Sequence, residues 1–316
     1  MTPTHERADW LEWRRTGLGA SDIAGVLGIS PWTSPFSVWA SKVDNQTDDH
    51  DTAAMEFGRR AEVMVAPWFA DRTGLHVAGE QTRCTHIADE WKLVTIDGLV
   101  LCGPGSDTAD ALGVLEIKTT SASAAEWADE VPVHYQCQAT WAMHVTDTPT
   151  CWFAVLHLAF GRPQFEVYEF TRNLDDELFV VERCERFWRD HVLTGTPPPV
   201  DGDAATTDAI KAHWPTAEGT IEADGTARRL IHSIHSRKAA MALSETNMAE
   251  AENELRVLLG DHEALTHDGR IIASWKQQDT ARLDTKALRA EYPELADEFM
   301  KTTTSRVLRL PKPKGE

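Results

Sequence analysis

Cysteine is sparse and unpatterned in this sequence. Five residues, Cys84, Cys102, Cys137, Cys151 and Cys184, are scattered along the chain with no CxxC spacing. An odd, dispersed set excludes a disulfide framework and offers no zinc or iron–sulfur spacing, which leaves free structural thiols. Also lacking is any apolar run of membrane-spanning length, and the start, MTPTHERADWLEWRR, carries no apolar signal core. The expected location is therefore the cytoplasm, with no membrane partner. Positive charge is in deficit as well: 31 Lys and Arg stand against 50 Asp and Glu, a formal net charge of −19. That balance argues against a nucleic-acid binder with a basic footprint over its whole surface. It does not argue against a local patch, and Arg14–Arg15 and Arg59–Arg60 are such local pairs. Internal repeats and low-complexity stretches are absent too. What is present is the composition of a soluble globular protein, 42% hydrophobic and 26% charged over 316 residues, enough for one large domain with an appendage.

Residues 8–15 read as a helix with Trp10 and Trp13 on neighbouring turns. Ser21 and Asp22 are suited to cap a helix ending near Gly28. Residues 34–43 form a helix with Ser34 as N-cap and Pro35 at its first position. A longer helix follows over 52–74, with a kink expected at Pro67 and Glu62 in its middle. Three stretches then have strand character: HVAGEQTRCTHI, WKLVTIDGLVL and GVLEIKTT. A helix over 131–146, two strands (TCWFAVLHLAF and FEVYEFT) and a helix over 174–193 complete the first domain. TGTPPPVDGD breaks the composition, because three successive prolines favour extended chain. The boundaries that follow are a first domain over 1–195, a linker over 196–203 and a C-terminal region over 204–316. In that region a long helix spans 227–259. Ile234, Met241, Met248 and Leu255 recur every seven residues, but their companions Arg237, Ser244 and Ala251 are polar or small, unlike a regular coiled coil. A hairpin through Asp268-Gly269, a helix near 285–299 and a last strand, SRVLRL, are expected beyond it.

The chemistry concentrates in TIDGLVLCGPGSDTADALGVLEIKTT, residues 95–120. Glu116 and Lys118 share one face of a strand and Ile117 the other. If the strand carrying Asp97 pairs with it, two carboxylates and an ammonium converge. A divalent cation relieves the repulsion of such a pair, and Mg²⁺ takes oxygen ligands from one or two carboxylates plus substrate phosphate. Asp97, Glu116 and the carbonyl of Ile117 are the candidate ligands of Mg²⁺ or Mn²⁺. Lys118 is the candidate that orients the attacking water or helps deprotonate it, and that stabilises developing negative charge. An E-x-K triplet by itself is equally an exposed strand face with a solvated ion pair. Asp107 and Asp110 fall in a Gly/Asp turn that explains them. Most of the twelve tryptophans sit in core contexts; Trp32, in the SPWTSP turn, is the candidate for stacking on DNA.

WRRTGLGASDIAGVLG with the following SPWTSPFSVWASK, then FGRRAE, TIDGL, VLEIKT and VPVHYQCQATWAMHVT, come in one order over about residues 13–146. This ordered set resembles the YqaJ-type viral recombinase family, relatives of lambda exonuclease within the PD-(D/E)xK nuclease superfamily. Ile96 stands where the superfamily motif has Pro. The resemblance implies an α/β nuclease fold, a mixed sheet flanked by helices with a C-terminal α+β appendage. It implies Asp97, Glu116 and Glu62 as the acids at the metal site, Lys118 as the catalytic lysine, and Tyr135 and Gln138 as the family's Tyr-x-x-Gln. Arg15 and Ser21 resemble a pocket for a DNA 5′-terminal phosphate. The implied activity is metal-dependent 5′-to-3′ digestion of double-stranded DNA ends in a phage or prophage setting. The implied partners are a single-strand annealing protein and further copies of the chain in a ring. An endonuclease on the same fold, and a non-catalytic DNA-binding or assembly protein, remain the alternatives.

Overall fold

The computed structural model describes residues 3–44, 52–302 and 304–311, and the chain divides into two compact units, residues 1–214 and 215–316. The first unit opens with helix α1 (Pro3–Arg15), a two-residue strand β1 (Leu18–Gly19), helix α2 (Ala20–Val26) and helix α3 (Pro35–Val43). Ser34 caps α3 through the Ser37 amide, with Pro35 at the first helical position as expected. The cap of α2 is Gly19 rather than Ser21 or Asp22: Asp22 sits at the third helical position and its carboxylate takes the Gly19 amide at 2.9 Å. Helix α4 (Ala53–Thr73) runs unbroken through Pro67 and ends on Gly74, whose φ of 73° needs glycine. The first two expected strand stretches are each divided, into β2 (His76–Ala78) and β3 (Thr82–Thr85) and into β4 (Lys92–Ile96) and β5 (Gly98–Leu101), whereas the third is the single strand β6 (Gly113–Thr120). Helix α5 (Val133–Thr146), strands β7 (Thr150–His157) and β8 (Gln164–Thr171), and helix α6 (Leu174–Phe187), which continues in a wider turn over Trp188–Val192, complete the expected order.

The five-stranded sheet has the order β2-β5-β6-β7-β8 and is antiparallel except for the β6/β7 pair. That pair is parallel because α5 carries the chain across between them. A second sheet, β1-β4-β3, shares its middle strand's continuation with the first. Asp97 is the single residue between β4 and β5, where the chain leaves one sheet for the other. Gly98 follows it because a Cβ there would meet Val77 Cγ1 at 2.5 Å.

Alternation along β6 and β7 divides the core. Val114, Phe153 and Val155 face α2, α3, α5 and α6. Leu115, Ile117, Ala154 and Leu156 face α4, whose Val65 and Phe69 are wholly buried against them; each such side chain stabilises the unit by about 2 kcal/mol. Glu116 and Lys118 follow Val114 onto the α5 face.

The first unit does not end at the proline segment. Residues 196–203 are irregular, but helix α7 (Ala204–His213) packs back on α3. His213 Nδ1 lies 2.6 Å from Asp44 Oδ1 and its ring 4.9 Å from that of Trp39, and Trp214 reaches Phe36. The unit therefore runs past the expected boundary to Trp214, because α7 supplies the apolar cover that Phe36 and Trp39 need. The second unit contains helix α8 (Gly225–Leu259), the hairpin β9 (Ala264–His267) and β10 (Arg270–Ser274), and helices α9 (Thr285–Glu291) and α10 (Pro293–Glu298). Asp268 and Gly269 turn the hairpin with φ of 50° and 74°, as a tight two-residue turn demands. The expected helix over 285–299 is broken at Tyr292–Pro293, since proline removes the amide that would continue it. Residues 305–310 form no strand.

Candidate active site

The register of β5 on β6, Gly98 opposite Leu115, sets Asp97 opposite Glu116 at the point where β5 begins. Because β5 starts one residue later, the Ile117 amide has no strand partner on that side. The Asp97 carboxylate takes its place, accepting from Ile117 N–H at 2.7 Å. The N–H and C=O of a strand residue project to the same edge, so the Ile117 carbonyl opens toward the Asp97 side. Lys118 Nζ donates to Glu116 Oε1 at 2.5 Å and to Gln138 Oε1 at 3.1 Å, and Gln138 Nε2 donates to the same Glu116 oxygen at 2.5 Å. Gln138 reaches them from α5. One helical turn earlier Tyr135 lies under the ammonium, 4.9 Å from nitrogen to ring centroid. Trp32, 63% exposed, abuts His134 and Tyr135 with ring centroids 5.2 and 6.1 Å away. The loop residue thus stands at the rim of the carboxylate cluster.

Glu62 joins through a residue that the sequence does not mark. Gln81 Nε2 donates to Glu62 Oε2 at 2.8 Å and to Asp97 Oδ1 at 3.1 Å. Gln81 holds φ at 55°, a left-handed backbone that non-glycine residues seldom adopt. Gln81 lies inside the stretch HVAGEQTRCTHI that reads as strand, so only the fold reveals this bridge.

The electrostatics are those of crowded acids. Burial, with Glu116 and Glu62 adding to it, holds the Asp97 carboxyl well above its ordinary range, and Lys118 and the Ile117 amide only partly oppose this. Glu62 is pushed up by burial and by Glu116, against Lys118, Arg59 and Gln81. Burial pulls the Lys118 ammonium down, but Glu116 and Asp97 outweigh it and the group stays above its usual value. With those carboxylates beside it, the Lys118 ammonium holds its proton tightly in the metal-free site.

This donor set fits a hard divalent ion. Among the described residues no three His, Cys, Asp or Glu side chains close into a preformed cage. Mg²⁺ does not require one, since it takes one or two carboxylates, waters and substrate oxygens. Asp97, Glu116 and the Ile117 carbonyl are all oxygen donors, and the raised Asp97 value marks a place short of positive charge.

The phosphate pair reads differently from expectation. Ser21 is exposed, and its hydroxyl accepts from Arg14 Nη2 at 2.9 Å; Arg15 donates instead to the Asp44 carbonyl. Arg14 also holds Asp22 at 3.0 Å, and Lys42 holds the other Asp22 oxygen at 2.7 Å. One residue of helical rotation decides it: Arg14 faces α2, whereas Arg15 faces the end of α3. Arg14, Arg15, Ser37, Lys42 and Trp32 nevertheless line a single cavity of about 990 Å³. In the sequence Arg14 reads only as half of a basic pair, and neither spacing nor type separates Lys42 from surface cations.

The YqaJ-like viral recombinase domain matches residues 9–149. The Bacillus subtilis (strain 168) protein YqaJ is 30% identical over 306 residues, covering 94% of this chain and 92% of that protein. This chain belongs to the YqaJ family. The matched YqaJ-like region holds Glu62, Gln81, Asp97, Glu116, Lys118, Tyr135 and Gln138, so the whole cluster lies inside it. Among solved structures, the alkaline exonuclease LHK-Exo of Laribacter hongkongensis is similar with 18% identity and a TM-score of 0.49, over 60% of this chain and 94% of that one. A phage related exonuclease from Haemophilus somnus 129PT is similar with 10% identity and a TM-score of 0.42, over 57% and 96%. No helix among the described residues is long and apolar enough to cross a membrane.

Proposed function

We propose that this YqaJ-family chain is a divalent-metal-dependent exonuclease that digests double-stranded DNA from its 5′ ends, leaving single strands for an annealing protein in phage-type recombination. The observation that carries the proposal is the convergence of Asp97, Glu116, Lys118 and Gln138 at one end of the β5–β6 pair. Membership of a family described as viral recombinase supports the setting.

Hydrolysis of a phosphodiester needs a water aligned with the leaving oxygen, charge neutralisation at phosphorus, and a proton for the departing alkoxide. A Mg²⁺ or Mn²⁺ ion held by Asp97, Glu116 and the Ile117 carbonyl would supply Lewis acidity and bind phosphate oxygen. Gln138 presents an amide beside Lys118 and is suited to orient the water. The Lys118 ammonium, pinned by Glu116 and Gln138 and backed by Tyr135, stabilises the negative charge that grows on the phosphoryl oxygens. Glu62, tied to Asp97 through Gln81, adds a carboxylate that accepts a proton or a ligand water. The terminal phosphate is assigned to the cavity lined by Arg14, Arg15, Ser37 and Lys42, with Trp32 between it and the cluster. Arginine forks suit a terminal phosphate better than an internal diester, because it offers more oxygens and charge.

The test is digestion of matched linear and covalently closed circular duplex with Mg²⁺. The proposal expects nucleotide release from the linear form and an intact circle. Cutting of the circle would replace the exonuclease with an endonuclease on the same fold. No digestion of either, with metal present, would leave the non-catalytic alternative.

A further inference from the structure

In the second unit, α8 is a helix of 35 residues, about 52 Å long, of which Leu259 is the single buried residue. Water would not support so long an apolar-striped helix for its own sake, since helical stability in proteins comes mostly from packing one face. A mostly apolar stripe, broken by Arg237 and Ser244, runs along it in steps of three and four: Ala227, Leu230, Ile234, Arg237, Met241, Ser244, Met248, Ala251, Leu255 and Leu258. Most of its large members are open, with Leu230 60%, Met241 63% and Met248 60% exposed, while Ile234 is half-buried.

The charges along the helix settle what fits it. Residues 225–242 contain Arg228, Arg229, Arg237 and Lys238 and no acid, whereas 243–259 contain Glu245, Glu250, Glu252 and Glu254 with a single Arg256. A helix that is basic in its first half and acidic in its second complements itself when reversed. We propose that α8 pairs antiparallel with α8 of a second copy of this chain, about a two-fold axis between Ala242 and Leu243.

That register explains the small companions of the heptad. Met241 meets Ser244 of the second copy, Ile234 meets Ala251, and Leu258 meets Ala227, so each of these layers joins one large and one small side chain. Such layers let helices approach and interdigitate closely. Leu230 meets Leu255. Arg237 meets Met248, lying its aliphatic stem along the seam while the guanidinium reaches out at the edge. Flanking the seam, Lys238 falls beside Glu245 of the second copy, and the two-fold axis makes that pair twice. Parallel pairing would instead set Arg237 against Arg237 across the seam, and nothing would face Lys238 but small or neutral residues. The pairing is isologous, as a two-fold dimer requires, and it concerns a part of the chain that the catalytic reading leaves unused.

Sedimentation equilibrium of the full chain tests it. The wild type is expected as a dimer, or as an even-numbered assembly containing it, and Met241→Lys as half that mass. Lys238→Glu and Glu245→Lys should each weaken association on the order of tenfold, and the double swap should return it to within about threefold of the wild type. Unchanged near-UV circular dichroism establishes that each variant keeps its first unit folded. A wild type that stays monomeric at 100 µM overturns the proposal, as does an assembly whose mass ignores all three substitutions. Single variants that dissociate without rescue by the swap overturn the antiparallel register. Loss of salt-sensitive duplex binding in Lys238→Glu at unchanged mass would mean that the basic half contacts nucleic acid instead.

Discussion

Replacing Asp97 by asparagine should stabilise the metal-free protein while abolishing its activity. Asp97 is buried beside Glu116 and is joined to Glu62 by one Gln81 nitrogen, at 3.1 and 2.8 Å from the two carboxylates. Unit charges roughly 7 Å apart repel by about 2 kcal/mol at an effective dielectric constant near 20. Burial adds to that cost, while water around the half-buried Glu62 screens part of it. Asparagine keeps the acceptor for the Ile117 amide, and Gln81 can turn its amide to match. The net gain expected in chelator at pH 8 is about 1–3 kcal/mol, or several degrees in Tm for a unit of 214 residues. The sign in pH follows from the raised Asp97 value. The folded chain holds its proton more tightly than the unfolded chain, so this contribution is full below the ordinary carboxyl range and is lost as pH rises through the folded pKa. The advantage of Asp97→Asn should therefore shrink as pH falls toward 4. Mg²⁺ should raise the melting temperature of the wild type and leave the variant unmoved. Differential scanning calorimetry in chelator, across pH 4–8, reads all of this. A variant less stable than the wild type by 1 kcal/mol or more at pH 8 would refute the reasoning, because the carboxylate would then be a paired anion rather than a crowded one.

Gln81→Gly relieves the left-handed backbone at this position and removes the Glu62–Asp97 bridge. Stability should change by less than about 1 kcal/mol, while the Mg²⁺ concentration for half-maximal nuclease rate rises on the order of 10- to 100-fold in a metal titration. Glu177 is held below the usual carboxylate range by hydrogen bonds from Arg172, at 2.5 and 2.9 Å, and by His144. Its contribution is present above its ordinary value and disappears as pH falls through the folded one. Glu177→Gln should thus cost about 2–4 kcal/mol at pH 7 and progressively less on acidification, measured by urea unfolding. Trp32→Ala should weaken binding of a frayed duplex end about 5- to 50-fold, by roughly the worth of one stacked base, in fluorescence anisotropy; equal affinity would return Trp32 to the role of a rim for Tyr135.

Much of this was legible beforehand, for identifiable reasons. Alternation along 113–120 puts Glu116 and Lys118 together on any strand, and Asp97-Gly98 at hairpin range brings the second carboxylate. The capped helix at Ser34 and the Asp268-Gly269 turn are local chemistry and appear where local chemistry puts them. What the residues concealed was tertiary. The split of one apparent strand at Asp97 depends on two sheets sharing it. The exchange of Arg15 for Arg14 at Ser21 depends on a helix orientation of about 100° per residue, set by packing on α2 and α3. The first unit runs past its prolines because α7 covers Phe36 and Trp39, a need that composition does not display.

The most direct test of the central claim is a time course of nucleotide release from end-labelled linear duplex by the wild type and by Lys118→Ala, with Mg²⁺ and with chelator. The account predicts Mg²⁺-dependent release by the wild type alone, and a loss of at least about 100-fold in the variant when both are assayed well below their melting transitions and still bind DNA. Release by Lys118→Ala at the wild-type rate, or release that persists in chelator, would contradict it.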